Sequence, residues 1–213
     1  MFPALYAILD ADQAGGPDTS LARILAGAGV KLIQIRDKKA STRKLFNASK
    51  RLVEALGPPG VRVIVNDRPD IAAMIGAGGV HMGREDLPVE AARKICGGSC
   101  WVGVSTHNLE QLREANLTSA DYIAIGPIFP TVTKDNPDPV VGLKLLHAAR
   151  QLTQKPLVAI GGITIESAEA TFRAGADSVA VVRDLISAED PVRRVREYLS
   201  IAKLVLSHRG GTV

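Results

Sequence analysis

The chain has 213 residues, of which 46% are hydrophobic and 4% aromatic, and its formal net charge is +4. This length suits one domain over residues 1–213, and no apolar run approaches the roughly 18 to 20 residues that span a bilayer, so we expect no membrane association. Basic residues are scattered and few aromatic residues lie among them, which argues against a nucleic-acid-binding protein and favours small anionic ligands.

Short apolar runs alternate with amphipathic stretches along the chain. The first run lacks the basic leader and the cleavage site of a signal peptide, so it is interpreted as a strand of a cytoplasmic protein. The predicted strands are Ala4–Asp10, Lys31–Asp37, Arg62–Asp67, Gly79–Gly83, Trp101–Thr106, Tyr122–Pro127, Pro156–Gly162 and Ser178–Val182. The predicted helices are Leu21–Ala28, Ser41–Leu56, Asp70–Ala77, Val89–Ile95, Leu109–Ala115, Leu143–Leu152, Ser167–Ala174 and Pro191–Leu206.

Eight strand–helix units in a row predict an α/β protein, a single-domain (β/α)8 TIM barrel. The alternative is a doubly wound open sheet, which usually carries a G-x-G-x-x-G turn after its first strand, and this chain has none there. Active sites of the barrel fold lie at the C-terminal ends of the strands. Polar residues at those ends are therefore the candidates for function.

The second and third strands end in charged and amide side chains. Alternation along the strand points Gln34, Arg36 and Lys38 to one face, which in a barrel faces inward, where an anionic ligand would be their partner. The alternative is a solvated strand end whose cations pair with Asp37 or another carboxylate. Asn66 follows the next strand and offers a further polar side chain.

Two carboxylates follow neighbouring strands, Asp67 after the third and Asp86 after the fourth. Carboxylates beside several cations suggest a hard divalent metal, best Mg²⁺, held together with phosphate oxygens. The alternatives are an ion pair between Asp67 and Arg68, and an N-cap by Asp86 for the helix after Leu87. His81, inside an apolar strand, fits a core position better than a ligand.

Later strand ends carry donors suited to phosphate. Ser105 is either a phosphate donor or a turn cap, and His107 is either a functional group or a hydrogen-bonded loop histidine. Gly161-Gly162 offers bare backbone NH groups after the seventh strand. The loop from Gly126 to Lys134 combines a glycine, which allows a close ligand approach, with the donors of Thr131, Thr133 and Lys134.

Together these segments resemble the thiamine-phosphate synthase family, in order along almost the whole chain. The matching segments are Gln34–Lys38, Val65–Arg68, Gly79–Pro88, Gly103–His107, Gly126–Lys134 and Ala159–Ile163. The resemblance implies a transferase of thiamine biosynthesis that joins 4-amino-2-methyl-5-hydroxymethylpyrimidine diphosphate to 4-methyl-5-(2-phosphoethyl)thiazole, releasing diphosphate. It also implies Mg²⁺ as cofactor and a pyrimidine-methyl cation that the thiazole nitrogen captures.

The resemblance also implies residue roles. Gln34 would bind the pyrimidine, and Asp67 and Asp86 would ligate Mg²⁺. The diphosphate would be held by Arg36, Lys38, Asn66, Ser105 and Lys134. The catalytic residues among these would be Arg36, Lys38, Ser105 and Lys134. The thiazole phosphate would be seated by Thr131, Thr133, Gly162, Val182 and Arg183.

One position departs from the family pattern, which usually has a serine directly after the eighth strand where this chain has Arg183. Arginine would either contact the thiazole phosphate with its charge or turn away and pair with Asp184. The alternative functions are those of a thiazole tautomerase-like relative, a non-catalytic phosphate sensor and a sugar-phosphate epimerase. A tautomerase or a sensor would not need the complete set of diphosphate-binding and metal-binding residues found here. An epimerase would need paired His and Asp metal ligands on the strands, and only His81 is suitably placed.

Overall fold

Strand and helix alternate along the computed structural model, which describes residues 2–11, 18–57, 60–131 and 138–209. Over these residues the strands are β1 (Leu5–Asp10), β2 (Leu32–Arg36), β3 (Arg62–Asn66), β4 (Gly79–Met82), β5 (Trp101–Thr106), β6 (Tyr122–Ile125), β7 (Leu157–Ile160) and β8 (Ser178–Val181). The helices are α1 (Thr19–Ala28), α2 (Thr42–Leu56), α3 (Pro69–Met74), α4 (Val89–Cys96), α5 (Leu109–Asn116), α6 (Gly142–Leu152), α7 (Ile165–Arg173), α8 (Arg183–Ile186) and α9 (Pro191–Arg209).

The strands pair in chain order, all parallel, and β8 returns to β1, so the sheet is a closed barrel. The (β/α)8 prediction is confirmed and the open-sheet alternative is wrong. Every residue of β1, β4, β6 and β8 is buried. Strands covered by helices outside and side chains inside read as continuous apolar runs, which is why the sequence located them. Among the helices described, none combines the length and apolar character that crossing a bilayer would require.

The apolar core has two layers. The larger layer lies between the strands and the helices, and the smaller layer fills the barrel interior. Tyr122 occupies part of that interior because its neighbour in register is Gly103, where a Cβ would lie 2.0 Å from the Tyr122 ring. Phe2 stacks on Trp101, with 5.2 Å between ring centroids, and its ring also lies 5.2 Å from that of Tyr122. These rings fill the N-terminal end of the barrel, which leaves the C-terminal end for a site.

Several element ends differ from the predicted ones, and one helix was not predicted. The start of α1 is capped by Asp18, whose carboxylate accepts from the backbone NH of Ser20, so Thr19 and Ser20 lie inside the helix. Helix α3 ends at Met74, before the predicted Ala77. Helix α8 was not predicted, because its 4 residues are too few to show a helical period. Side chains of Ser41, Asn108 and Asp190 cap the starts of α2, α5 and α9.

Two arginine–aspartate pairs repeat the same connection at the N-terminal rim of the barrel. Arg93 on α4 binds Asp121, whose Oδ2 also accepts from the backbone NH of Val102, 2.7 Å away. Arg150 on α6 binds Asp177 at 2.6 Å, and Asp177 Oδ2 accepts from the backbone NH of the first residue of β7 at 2.8 Å. Each pair therefore joins a helix to two neighbouring strands. The pairs do not show as a sequence repeat, because each one joins residues far apart in the chain.

We expect Asp177→Ala to lower the free energy of unfolding by about 1.5–3 kcal/mol, because a charged hydrogen bond is lost and a backbone NH loses its acceptor. Chemical denaturation measures this change. The control is Asp70→Ala, which removes an exposed pair with Arg68 and should cost no more than about 1 kcal/mol. Equal losses in the two variants would contradict the structural role of the rim pairs.

Candidate active site

A cavity of about 610 Å³ opens at the C-terminal end of the barrel. Its wall is formed by strand ends and by the loops that follow them. Ten predicted site residues line it together: Gln34, Arg36, Lys38, Asn66, Asp67, Ser105, Thr131, Gly162, Val182 and Arg183. Predicted residues Thr133 and Lys134 lie outside the described residues. The barrel thus brings side chains from β2, β3 and β5 and from the loops after β6, β7 and β8 to one mouth.

The cations of the β2 end are held by carboxylates. Arg36 Nη1 forms an ion pair with Asp10 Oδ2, and Asp10 is only 2% exposed. Lys38 Nζ lies 3.2 Å from Asp67 Oδ2. Asp37, the partner considered from the sequence, instead accepts from backbone NH groups, including that of Ala40 at 2.9 Å. The inward orientation was predicted correctly, while Asp10, opposite Arg36 in the β1–β2 register, was missed.

The two candidate metal-binding carboxylates meet at Gly83. Asp86 Oδ2 accepts from the Gly83 backbone NH at 2.8 Å, and a Cβ on Gly83 would lie 2.6 Å from that oxygen and 4.0 Å from Asp67 Oδ1. Both sequence alternatives are wrong: Arg68 pairs with Asp70 at 2.6 Å, and α4 has no side-chain cap. Asp67 adopts a φ of 59°, which is uncommon for a non-glycine residue and marks a constrained site.

The electrostatics at Gly83 suit a cation. Burial raises the pKa of the Asp86 carboxyl, and the neighbouring Asp67 raises it further through a hydrogen bond and like charge. A positive ion between these carboxylates would relieve both effects. No group of three or more His, Cys, Asp or Glu side chains able to hold a metal occurs in the described ranges. The two carboxylates of Asp67 and Asp86 fit Mg²⁺, which is commonly held by one or two carboxylates while water and phosphate oxygens complete its shell.

The loops after β6 and β7 pack against each other. Ile128 and Phe129 donate backbone NH groups to Ile160 at 2.9 Å and Gly161 at 3.0 Å. A Cβ on Gly126 would lie 2.2 Å from the Ile160 oxygen, so close packing against β7 requires a glycine here. The sequence had suggested only that this glycine allows a ligand to approach. Gly162 has a φ of +62°, and a Cβ there would lie 2.3 Å from the Pro130 oxygen. Glycine at both positions permits the close contact that forms this side of the cavity.

The loop after β8 begins the short helix α8 at Arg183. Arg183 is exposed and lines the cavity together with Val182. Asp184, the alternative partner of Arg183, binds Arg194 at 2.6 Å and the Tyr198 hydroxyl at 2.7 Å instead. Arg183 lies at the cavity, and its contact with the thiazole phosphate stays a prediction.

Two histidines and two tyrosines complete the cavity or adjoin it. His107 Nδ1 lies 2.7 Å from the Gly126 oxygen, which agrees with a hydrogen-bonded loop histidine that also lines the cavity. His81 is buried, as predicted, yet it lines the cavity and lies 2.9 Å from Ser105 Oγ. Tyr6 and Tyr122 connect His81 to Gln34 through their hydroxyls. Sequence reasoning missed both tyrosines because they lie within apolar strands.

Comparison with known proteins identifies relatives over most of the chain. A family model described as thiamine monophosphate synthase matches residues 5–185. The thiamine-phosphate synthase of Koribacter versatilis is 51% identical over 93% of this chain and 95% of its own length. That of Chloroflexus aurantiacus is 39% identical over 94% and 93%. The structure titled thiamine phosphate pyrophosphorylase from Pyrococcus furiosus superposes with a TM-score of 0.83 at 32% identity, covering 95% of this chain and 96% of that one.

We expect Gly83→Ala to weaken Mg²⁺ binding in the presence of inorganic diphosphate by about 10-fold or more, because the new methyl group displaces the Asp86 carboxylate. Calorimetric titration measures the affinity. The matched control is Gly98→Ala, since a Cβ at Gly98 meets nothing within 4 Å. If the two variants bound Mg²⁺ with equal affinity, Asp86 would not be a ligand of the cation.

Proposed function

Because the chain belongs to the thiamine monophosphate synthase family, we propose that its cavity joins 4-amino-2-methyl-5-hydroxymethylpyrimidine diphosphate to 4-methyl-5-(2-phosphoethyl)thiazole, forming thiamine phosphate and diphosphate. The chain is a transferase, as its relatives are. One observation supports the proposed substrates most directly. The amide of Gln34, the cations Arg36 and Lys38, and the carboxylate of Asp67 line the same cavity at neighbouring strand ends.

The charges of the cavity suit a diphosphate that leaves with the electrons of the bond that breaks. Arg36 and Lys38 place positive charge beside the leaving group, and Ser105 offers a neutral hydrogen-bond donor on the other side of the cavity. Asp67 and Asp86 would hold Mg²⁺, which supplies further positive charge next to the diphosphate oxygens. Lys134 would act with these cations, an assignment that rests on the family resemblance.

The reaction needs no nucleophilic side chain. In the proposed sequence the carbon–oxygen bond to the diphosphate breaks first and leaves a pyrimidine-methyl cation. The lone pair of the thiazole ring nitrogen then forms the new carbon–nitrogen bond. Gln34 would fix the pyrimidine by its amide edge, so the protein's work is orientation and charge stabilisation.

The thiazole phosphate is proposed to bind at the opposite side of the mouth, where loops seven and eight of this fold often hold phosphate. Backbone NH groups at Gly162 and the start of α8 at Val182 and Arg183 line this part of the cavity. Thr131 lines it as well, and Thr133 would contribute by resemblance. Arg183 adds a charge where the family pattern has serine, which would strengthen the contact with phosphate.

The test of the proposed function is to incubate the purified protein with both substrates and Mg²⁺ and to detect thiamine phosphate by chromatography. We expect product only when both substrates are present, and chelation of the metal should abolish it. Asp67→Asn should lower kcat/KM by about 100-fold or more, because its charge and its pair with Lys38 are lost.

The matched variant Asp70→Asn changes the same group in an exposed surface pair beside the same helix and should keep wild-type activity. Absence of product from the wild-type protein under these conditions would overturn the proposed function. If product still forms in the chelated sample, the role of Mg²⁺ is overturned but the proposed reaction is not.

We expect Arg183→Ser to raise the KM for the thiazole phosphate about 10-fold with kcat unchanged, because a charged contact made equally in the ground and transition states is lost. Steady-state kinetics at saturating pyrimidine diphosphate measure it. Arg196→Ser, an equal charge change at an exposed position of α9, is the control for a general electrostatic effect. Unchanged KM in Arg183→Ser would remove this residue from the phosphate site.

A further inference from the structure

A line of hydrogen-bonded side chains crosses the barrel interior beneath the cavity. Gln34 Nε2 lies 2.6 Å from the Tyr6 hydroxyl, which lies 3.0 Å from the Tyr122 hydroxyl. Tyr122 in turn lies 3.0 Å from His81 Nδ1, and His81 Nε2 lies 2.9 Å from Ser105 Oγ. The four residues from Gln34 to His81 are all buried.

The chemistry of the groups fixes the direction of these bonds. An amide nitrogen only donates, so the Tyr6 hydroxyl accepts from Gln34 and must donate its own hydrogen elsewhere. Within the described part of the chain, Tyr122 is the only other hydrogen-bond partner of that hydroxyl. Tyr122 therefore accepts from Tyr6 and donates to Nδ1 of His81. Burial raises the pKa of both phenols, so each remains a neutral donor.

The same reasoning fixes the state of His81. Since Nδ1 accepts a hydrogen bond, the neutral imidazole carries its hydrogen on Nε2 and donates it to Ser105 Oγ. Ser105 Oγ, already an acceptor from the protein, keeps its own hydrogen available for another partner. Ser105 lines the cavity, so a bound ligand can accept that hydrogen.

We propose that Tyr6, Tyr122 and His81 are positioning residues that hold Ser105 as a hydrogen-bond donor toward the leaving diphosphate. The same line holds Gln34 with its carbonyl oxygen available to accept from the pyrimidine amino group. This inference rests on the proposed function for the identity of the two ligand groups. A donor oriented before the reaction needs no rearrangement when negative charge develops on the leaving group.

The packing around this line favours a functional role over a structural one. The interior of this fold is usually filled by bulky apolar side chains, and here Ile8 and Ile64 belong to the same interior layer as the tyrosines. The ring of Tyr122 is stacked at 25° on the imidazole of His81 and lies edge-on to that of Tyr6. Phenylalanine would fill both ring positions, so the packing alone does not require the two hydroxyls.

The test is Tyr122→Phe, which keeps the ring and removes the hydroxyl. Without a donor at Nδ1, the hydrogen of His81 is free to move to that nitrogen, and Nε2 then accepts from Ser105. We expect kcat to fall about 10- to 100-fold, with the KM for the thiazole phosphate unchanged. If this variant does not fold, Tyr6→Phe tests the other end of the line. It removes the hydroxyl that accepts from Gln34 while Tyr122 still donates to His81, so it should raise the KM for the pyrimidine diphosphate.

A double-mutant cycle separates positioning from a loss of structure. In the Ser105→Ala background, Tyr122→Phe should lower kcat by less than about 2-fold, because the donor it positions is already absent. The control Thr171→Val removes a buried hydroxyl that donates to the Ser167 oxygen at 2.8 Å on α7, and it should keep wild-type kcat. Full, additive losses in the double variant, or wild-type kcat in Tyr122→Phe, would overturn the proposal.

Nuclear magnetic resonance of ¹⁵N-histidine-labelled protein gives a readout that does not depend on activity. We expect the Nε2–H tautomer for His81, assigned by its loss in His81→Gln, and a change of tautomer in Tyr122→Phe. An Nδ1–H tautomer in the wild type would overturn the proposal whatever the assay shows. If the wild-type protein shows the expected tautomer but no coupling activity, the proposed function is overturned. The direction of the hydrogen bonds would still be supported.

Discussion

Closure of eight parallel strands obliges every strand to end at the same rim, and the site depends on this constraint. Residues far apart in the chain become neighbours there, and the register decides which ones meet. Asp10 lies opposite Arg36 because β1 and β2 pair with that register, and Asn66 lies opposite His81 between β3 and β4. With aromatic rings filling the N-terminal end, the polar side chains of the interior gather toward the open C-terminal end.

Charges at this mouth have partners within the protein. The sequence suggested that an anionic ligand would be the partner of the inward-facing cations, whereas Asp10 and Asp67 already hold Arg36 and Lys38. The diphosphate proposed as a ligand would therefore meet cations whose orientation is fixed, which would lower the conformational entropy lost on binding. The crowding of Asp86 against Asp67 is the opposite case, since burial and the neighbouring like charge raise the pKa of Asp86 although Lys38 lies close by.

Local sequence patterns predict the strands and helices, but they do not predict which residues distant in the chain pair with each other. Strand β5 was predicted with its observed bounds, because an apolar run between turn residues is a strong signal. The inward set at Gln34, Arg36 and Lys38 followed from strand alternation. Asp10, Tyr6 and Tyr122 were missed, since an isolated polar group in an apolar strand shows its partner only after the barrel closes. The roles of Thr133 and Lys134 stay predictions.

The polar line inside the barrel shows how stability and function are separated in this fold. A buried hydroxyl with its hydrogen bonds made adds little to stability, and replacing both partners by apolar groups of the same shape is often nearly neutral. The ring of Tyr122 fills space that Gly103 leaves open, and the rings of Tyr6 and Tyr122 both belong to the interior layer of the core. Their hydroxyls do not contribute to that packing. The line joins two cavity-lining side chains, Gln34 and Ser105, and the packing does not require its hydroxyls. Ligand binding in the cavity therefore explains it best.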